Sequence, residues 1–302
     1  MHILNFLLLL LLFPINSVAH PKNTVFTIAG SINAAAGKMI QMPANFNQYY
    51  PTKIDQETEV IKGKFKFKNA IPYPYPFRLG LKINAQWKYI SGVFFIEPGN
   101  QFILCSIDSN RKIPEIVNKT MQEYQNEYLS ALSNLQLTNS VLHKRKDSLQ
   151  KIFGDTIPAL LTSILSKEKL QIAVDKDSTI LHFIKTHPES FVSMWQLVDK
   201  LAQGYTPFLN VAYNYLSPSI KNTFSGKLLF KKIQIAKSIS TGNLFPPVYL
   251  KNNRGKPKVL PSFKNTNYTL INFWYSHCGP CVAQFPLLKN IYNKYKIIFF
   301  LL

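Results

Sequence analysis

Cysteine is scarce in this chain. Three residues in 302, Cys105, Cys278 and Cys281, are too few and odd in number for a fold stapled by disulfides. Zinc at the Cys278/Cys281 pair would need two further ligands of similar organisation, and Cys105 lies far away in a different kind of segment. His143, His182 and His187 have no cysteine or carboxylate at ligand spacing, so no metal site is expected and packing or surface roles fit them better. Acidic side chains are also few, 15 against 35 basic ones, which gives 35 − 15 = +20. Such a charge raises the question of nucleic acid or an anionic surface. The lysines are spread through alternating patterns such as "KGKFKFKN", however, and no nucleic-acid motif accompanies them, so a solvated basic surface is expected. Internal repeats and long low-complexity segments are absent.

Long apolar runs are missing as well. Phe6 to Phe13 is wholly apolar but falls short of the roughly 20 residues of a membrane span. Pro14 breaks it before the small-residue pattern Ser17-Val18-Ala19, which reads as a signal peptide over residues 1–19 with cleavage after Ala19. Only His2, and no Lys or Arg, precedes the run. No cysteine follows it, so lipid modification is unsupported. Removing residues 1–19 takes away no Lys, Arg, Asp or Glu, so the charge stays at +20, with no stable membrane span expected after cleavage.

At 46% hydrophobic residues the chain can build cores, and its length allows two or three domains. Residues 22–110 read as a β-rich domain, a small sandwich or barrel. "TVFTIAG" is a strand ended by Gly30, "GKFKFKN" alternates Phe65 and Phe67 with lysines, and "YPFRLGLKI" follows. "GVFFIEPGNQFILCSI" is split by Pro98-Gly99-Asn100 into an expected hairpin, with Cys105 a buried structural thiol beside Ile103 and Ile107. Residues 113–236 turn helical, with Tyr124, Tyr128, Leu132 and Leu135 on one stripe. Two helices are expected around His187-Pro188, the second with Pro188 in its first turn and closed at Gly204. Residues 243–302 change again, from the Pro246-Pro247 loop to the strand "NYTLINFWY", which runs to Tyr275.

That strand feeds "SHCGPCVAQFPLLKNIYNKY", where Val282, Phe285, Leu288, Ile291 and Tyr292 form a helical stripe. Cys278 would then sit at a helix N-terminus, where free N–H groups and the helix dipole favour a thiolate. Cys281, one turn in, would be shielded and act as the resolving thiol after Cys278 attacks a disulfide.

The segment "INFWYSHCGPCVAQFPLLKNIYNKY" resembles the active-site segment of the TlpA/ResA periplasmic thioredoxin-like disulfide reductases, commonly FWAxWCxPCRxExP. Phe273, Trp274, Cys278, Pro280, Cys281 and Pro286 match it. The architecture over most of the chain, through "GKFKFKN", "FFIEPGN" and "HPES", also resembles Gram-negative cell-envelope proteins that join a β-rich domain and a helical middle to a C-terminal thioredoxin module. The resemblance implies a multidomain α+β protein of the periplasm or cell envelope. It implies a redox-active Cys278–Cys281 disulfide with no other cofactor, protein disulfides as substrates, an envelope dithiol as electron donor, and Trp274 packed beside the site. The Gly-Pro pair between the cysteines matches strongly reducing thioredoxin and favours a reductase. His277 stands where the family usually has tryptophan, and its imidazolium would favour the thiolate or be a neutral surface change. Gln284 replaces a glutamate associated with proton handling, and Asn272 replaces the acid of thioredoxin itself. "KIIFFLL" supplies the second strand of a βαβ unit, and the antiparallel half with its cis-proline does not follow, so the α/β domain is expected to be incomplete. The alternative is a non-catalytic envelope binding protein carrying a truncated thioredoxin remnant.

Overall fold

A computed structural model describes residues 24–33, 39–42, 46–51, 56–83, 85–105, 115–116, 120–154, 156–244, 249–251, 254–259, 270–295 and 299–301. The chain is mixed α+β, strands first and helices after them. It divides into two compact units, residues 1–242 and 243–302. The export-signal reading of residues 1–19 lies outside the described residues, as do Ile107 and the Pro246-Pro247 loop. Among the described residues no helix is long and apolar enough to cross a membrane.

The first unit opens with β1 (Thr24–Ile32), β2 (Met39–Met42), β3 (Gln56–Glu59), β4 (Lys64–Ile71) and β5 (Tyr75–Phe77). It continues with β6 (Gly80–Ile83), β7 (Gln86–Tyr89), β8 (Phe94–Ile96), β9 (Gly99–Cys105) and β10 (Glu115–Ile116). Two four-stranded sheets form, in the orders β10-β9-β1-β4 and β3-β2-β6-β7, beside the ribbon β5-β8. The Lys/Phe alternation of β4 works as its period of two dictates: Phe65 and Phe67 are buried and the intervening lysines face water. Gly30 does not end β1 but lies within it, opposite Phe65, whose ring would be 2.2 Å from any added Cβ. The strand therefore runs on to Ile32 with the ring packed over the glycine. The expected hairpin across Pro98-Gly99-Asn100 also does not form. Strand β8 pairs antiparallel with β5, whereas β9 runs parallel to β1, with Ile28 opposite Gln101 and Gly30 opposite Ile103.

Helices α1 (Thr120–Phe153), α2 (Ala159–Thr186), α3 (Phe191–Leu201), α4 (Phe208–Tyr215), α5 (Pro218–Lys221) and α6 (Phe224–Ser238) complete the unit. Helix α3 begins after Ser190, whose side chain accepts from the Val192 N–H, so Pro188 lies before the cap rather than in the first turn. Strands and helices share one core. Trp195 of α3 meets Tyr49, Tyr50 and Tyr75, and Tyr73 stacks on Phe191 at 4.9 Å. Ser225 of α6 donates to the Tyr49 carbonyl at 2.6 Å, which leaves its oxygen to accept from the Tyr73 hydroxyl at 3.0 Å.

The second unit contains β11 (Tyr249–Lys251) antiparallel to β12 (Pro257–Val259). It also contains β13 (Leu270–Asn272), α7 (Gly279–Ala283), α8 (Phe285–Tyr295) and β14 (Phe299–Leu301). Strand β14 runs parallel to β13, with Ile271 opposite Phe300, so the two strands and the helices between them make a β-α-β connection.

Candidate functional site

Strand β13 stops at Asn272, earlier than the apolar run foretold, and Phe273, Trp274 and Tyr275 are exposed in the segment beyond it. A turn then delivers Cys278, whose N–H donates to the Tyr275 carbonyl at 3.0 Å. Cys278 is the N-cap of α7: its Sγ accepts from the Cys281 N–H at 3.2 Å, and its carbonyl accepts from the Val282 N–H at 3.0 Å. Pro280 lies in the first turn, where a missing N–H leaves nothing unpaired. This turn places the cysteines 5.2 Å apart at Cα, within the roughly 4.4–6.8 Å usual for disulfides, and they are bonded. Both are half-buried.

The expected single helix is two. Helix α7 ends at Ala283, with Gln284 as its C-cap, and α8 starts at Phe285, because Pro286 has no N–H for the Val282 carbonyl and its ring crowds that carbonyl. The Gln284 carbonyl then takes the Leu288 N–H at 3.0 Å and carries the chain into α8. Of the expected stripe, Phe285, Leu288 and Ile291 are half-buried and Val282 and Tyr292 are exposed.

Around the disulfide, Trp274 packs edge-on against Phe285 with ring centres 5.1 Å apart. His277 is exposed, its Nδ1 3.0 Å from the Ser276 hydroxyl. Gln284 is exposed at the helix joint. The Asn272 Nδ2 is buried with no hydrogen-bond partner among the described residues, a detail the sequence pattern does not reveal.

Cys105 is a different thiol. It sits on β9, half-buried, its Sγ 3.4 Å from the Ser31 carbonyl, and burial pushes its pKa up to about 12. Among the described residues no three His, Cys, Asp or Glu side chains are grouped to hold a metal ion. His187 instead lies 3.2 Å from the Glu127 carboxylate and stacks on Phe183. Glu127 is remote in sequence, which is why spacing did not reveal the pair.

A bonded cysteine pair at the start of a helix, between parallel strands, has the parts of a thiol–disulfide exchange site. No family model matches the chain. It is similar to the thiol-disulfide oxidoreductase ResA of Bacillus subtilis (strain 168), 35% identical over 60 residues. The match covers 20% of this chain and 33% of that protein, so the chain spans about a third of that relative's length.

Proposed function

We propose that the chain is an exported thiol:disulfide oxidoreductase that reduces protein disulfides in the cell envelope. The observation that carries this is the Cys278–Cys281 disulfide at the N-cap of α7 in a β-α-β connection. In the reduced protein the Cys278 thiolate attacks one sulfur of a substrate disulfide and releases the other as a thiolate. Cys281, as thiolate, then attacks Cys278 Sγ and expels the second substrate sulfur, leaving the Cys278–Cys281 disulfide. Two electrons pass to the substrate, and an envelope dithiol restores the pair. The free N–H groups of the first turn of α7 favour the Cys278 thiolate in this scheme. Trp274 braces the segment through Phe285. Pro280 fixes the first turn, and exposed His277 and Gln284 tune exchange from outside it. No metal and no further cofactor is invoked.

The test is Cys281→Ser in the full chain, with mixed disulfides trapped from an envelope extract. Capture through Cys278 is expected. Recovery of none, with Cys278 shown to be free and reactive, would overturn the mechanism. The second reading, a non-catalytic binding protein, draws on the distribution of buried side chains, all of which lie in the first unit among the described residues.

A further inference from the structure

Within the first unit, where the strands meet α1 and α3, lies a cavity of about 290 Å³. This is just below the roughly 300–1,000 Å³ of small-molecule sites, a size for a small ligand. Its walls include the aromatic side chains of Phe46, Phe95, Tyr128 and Trp195. Phe95, Tyr128 and Trp195 are buried, and Phe46 is held at φ 53°, a backbone region that a bulky residue adopts only when its surroundings enforce it. Asp199 stands at the same cavity. In a protein of charge +20, its carboxylate makes no hydrogen bond or ion pair among the described residues.

We propose that this cavity binds a small organic ammonium ion, with the aromatic walls around its alkyl groups and the Asp199 carboxylate as counter-charge.

The other ligand classes fit less well. An anion would meet Asp199. A neutral apolar molecule would cover the carboxylate without compensating it. A hard metal ion needs six or so oxygen donors, and the walls are mostly carbon. An alkylammonium meets both features at once, because aromatic rings attract cations and the carboxylate neutralises the charge. Although the residue reaches solvent, desolvation of its carboxyl raises the Asp199 pKa to about 6, and a bound cation would offset that cost. The competing cations are accounted for. Lys200 is bound to Asp177 at 2.5 Å, and Lys176 acts on Asp199 through its field without reaching ion-pair distance. Choline, a small quaternary ammonium ion, is therefore the probe. This site is independent of the cysteine pair.

The experiment uses the full chain with Trp87→Phe and Trp274→Phe, so that Trp195 alone reports by fluorescence. Choline is titrated to about 50 mM beside its uncharged isostere 3,3-dimethylbutan-1-ol. Saturable binding of choline is expected, at least about tenfold tighter than the isostere. Asp199→Asn, at an exposed position, should weaken choline by about tenfold or more, with circular dichroism showing an intact fold. Lys176→Gln should tighten it by a few-fold, because a competing cation is removed. Equal binding of choline and the isostere, unchanged binding in Asp199→Asn, or no saturable response would each overturn the proposal.

Discussion

In the first unit Phe26, Ile28, Tyr75, Phe77 and Leu197 are wholly removed from water, and Trp195 nearly so. In the second unit no described side chain is buried, and Phe273 keeps 74% of its surface exposed. The cysteine pair belongs to the unit whose described side chains are exposed or half-buried. Its geometry rests on contacts within ten residues: Cys278 to Tyr275, Cys281 to Cys278, Val282 to Cys278 and Gln284 to Cys281. The core of the first unit rests on contacts far apart in sequence, such as Ser225 to Tyr49 and Tyr73. A site built from one helix turn needs little burial to hold its shape, whereas a core built from distant strands and helices is made of burial.

The sharpest way to break this comparison is through the thiols. After reduction, Cys105 is expected to alkylate with iodoacetamide at pH 8 on the order of a thousandfold more slowly than an unperturbed thiol, because burial raises its pKa to about 12. The reduced Cys278 should label readily. Mass mapping of the labelled peptides checks both, and fast labelling of native Cys105 would remove the contrast. Next in size, Trp195→Ala should lower the stability of the first unit by about 3–5 kcal/mol in urea unfolding while the Cys278–Cys281 exchange rate is unchanged. Ser225→Ala should cost about 1–3 kcal/mol in the same measurement, since it leaves the buried Tyr49 carbonyl without its donor.

The smallest effect is that of Asp199. Its folded pKa of about 6 lies above the ordinary carboxyl value of 3.8, so the native state binds this proton more tightly. The stability it contributes is complete below pH ~4 and is lost as the pH rises through about 6. Solvent reaches the residue even though its carboxyl sits beside Tyr128 in the cavity wall, so the effect is screened. Asp199→Asn should therefore gain at most about half a kcal/mol over the wild type at pH 7 and lose that gain at pH 4. A variant less stable than the wild type at pH 7 would show that the carboxylate has a stabilising partner.

The same division governs what could be read from the sequence. Strand β4 was legible because Phe65 and Phe67 alternate with lysines, and the turn holding Cys278 and Cys281 was legible because it is local. The partners of β8 and β9 were not, since choosing β5 and a parallel β1 over a hairpin depends on the surrounding sheets. Gly30 looked like a stop because its reason, the Phe65 ring, sits on another strand. The joint at Gln284 was written in Pro286 but was masked by the apolar spacing around it. The cavity beside Trp195 had no local signal, since its walls come from separate strands and helices.

The most direct measurement is reduction of insulin by the full chain with dithiothreitol as donor, run beside Cys278→Ser and Cys105→Ser. Turnover by the wild type and by Cys105→Ser, with Cys278→Ser at the uncatalysed background, is the expected result. A wild type at background, or equal loss in Cys105→Ser with its fold intact, would contradict a redox site confined to the second unit.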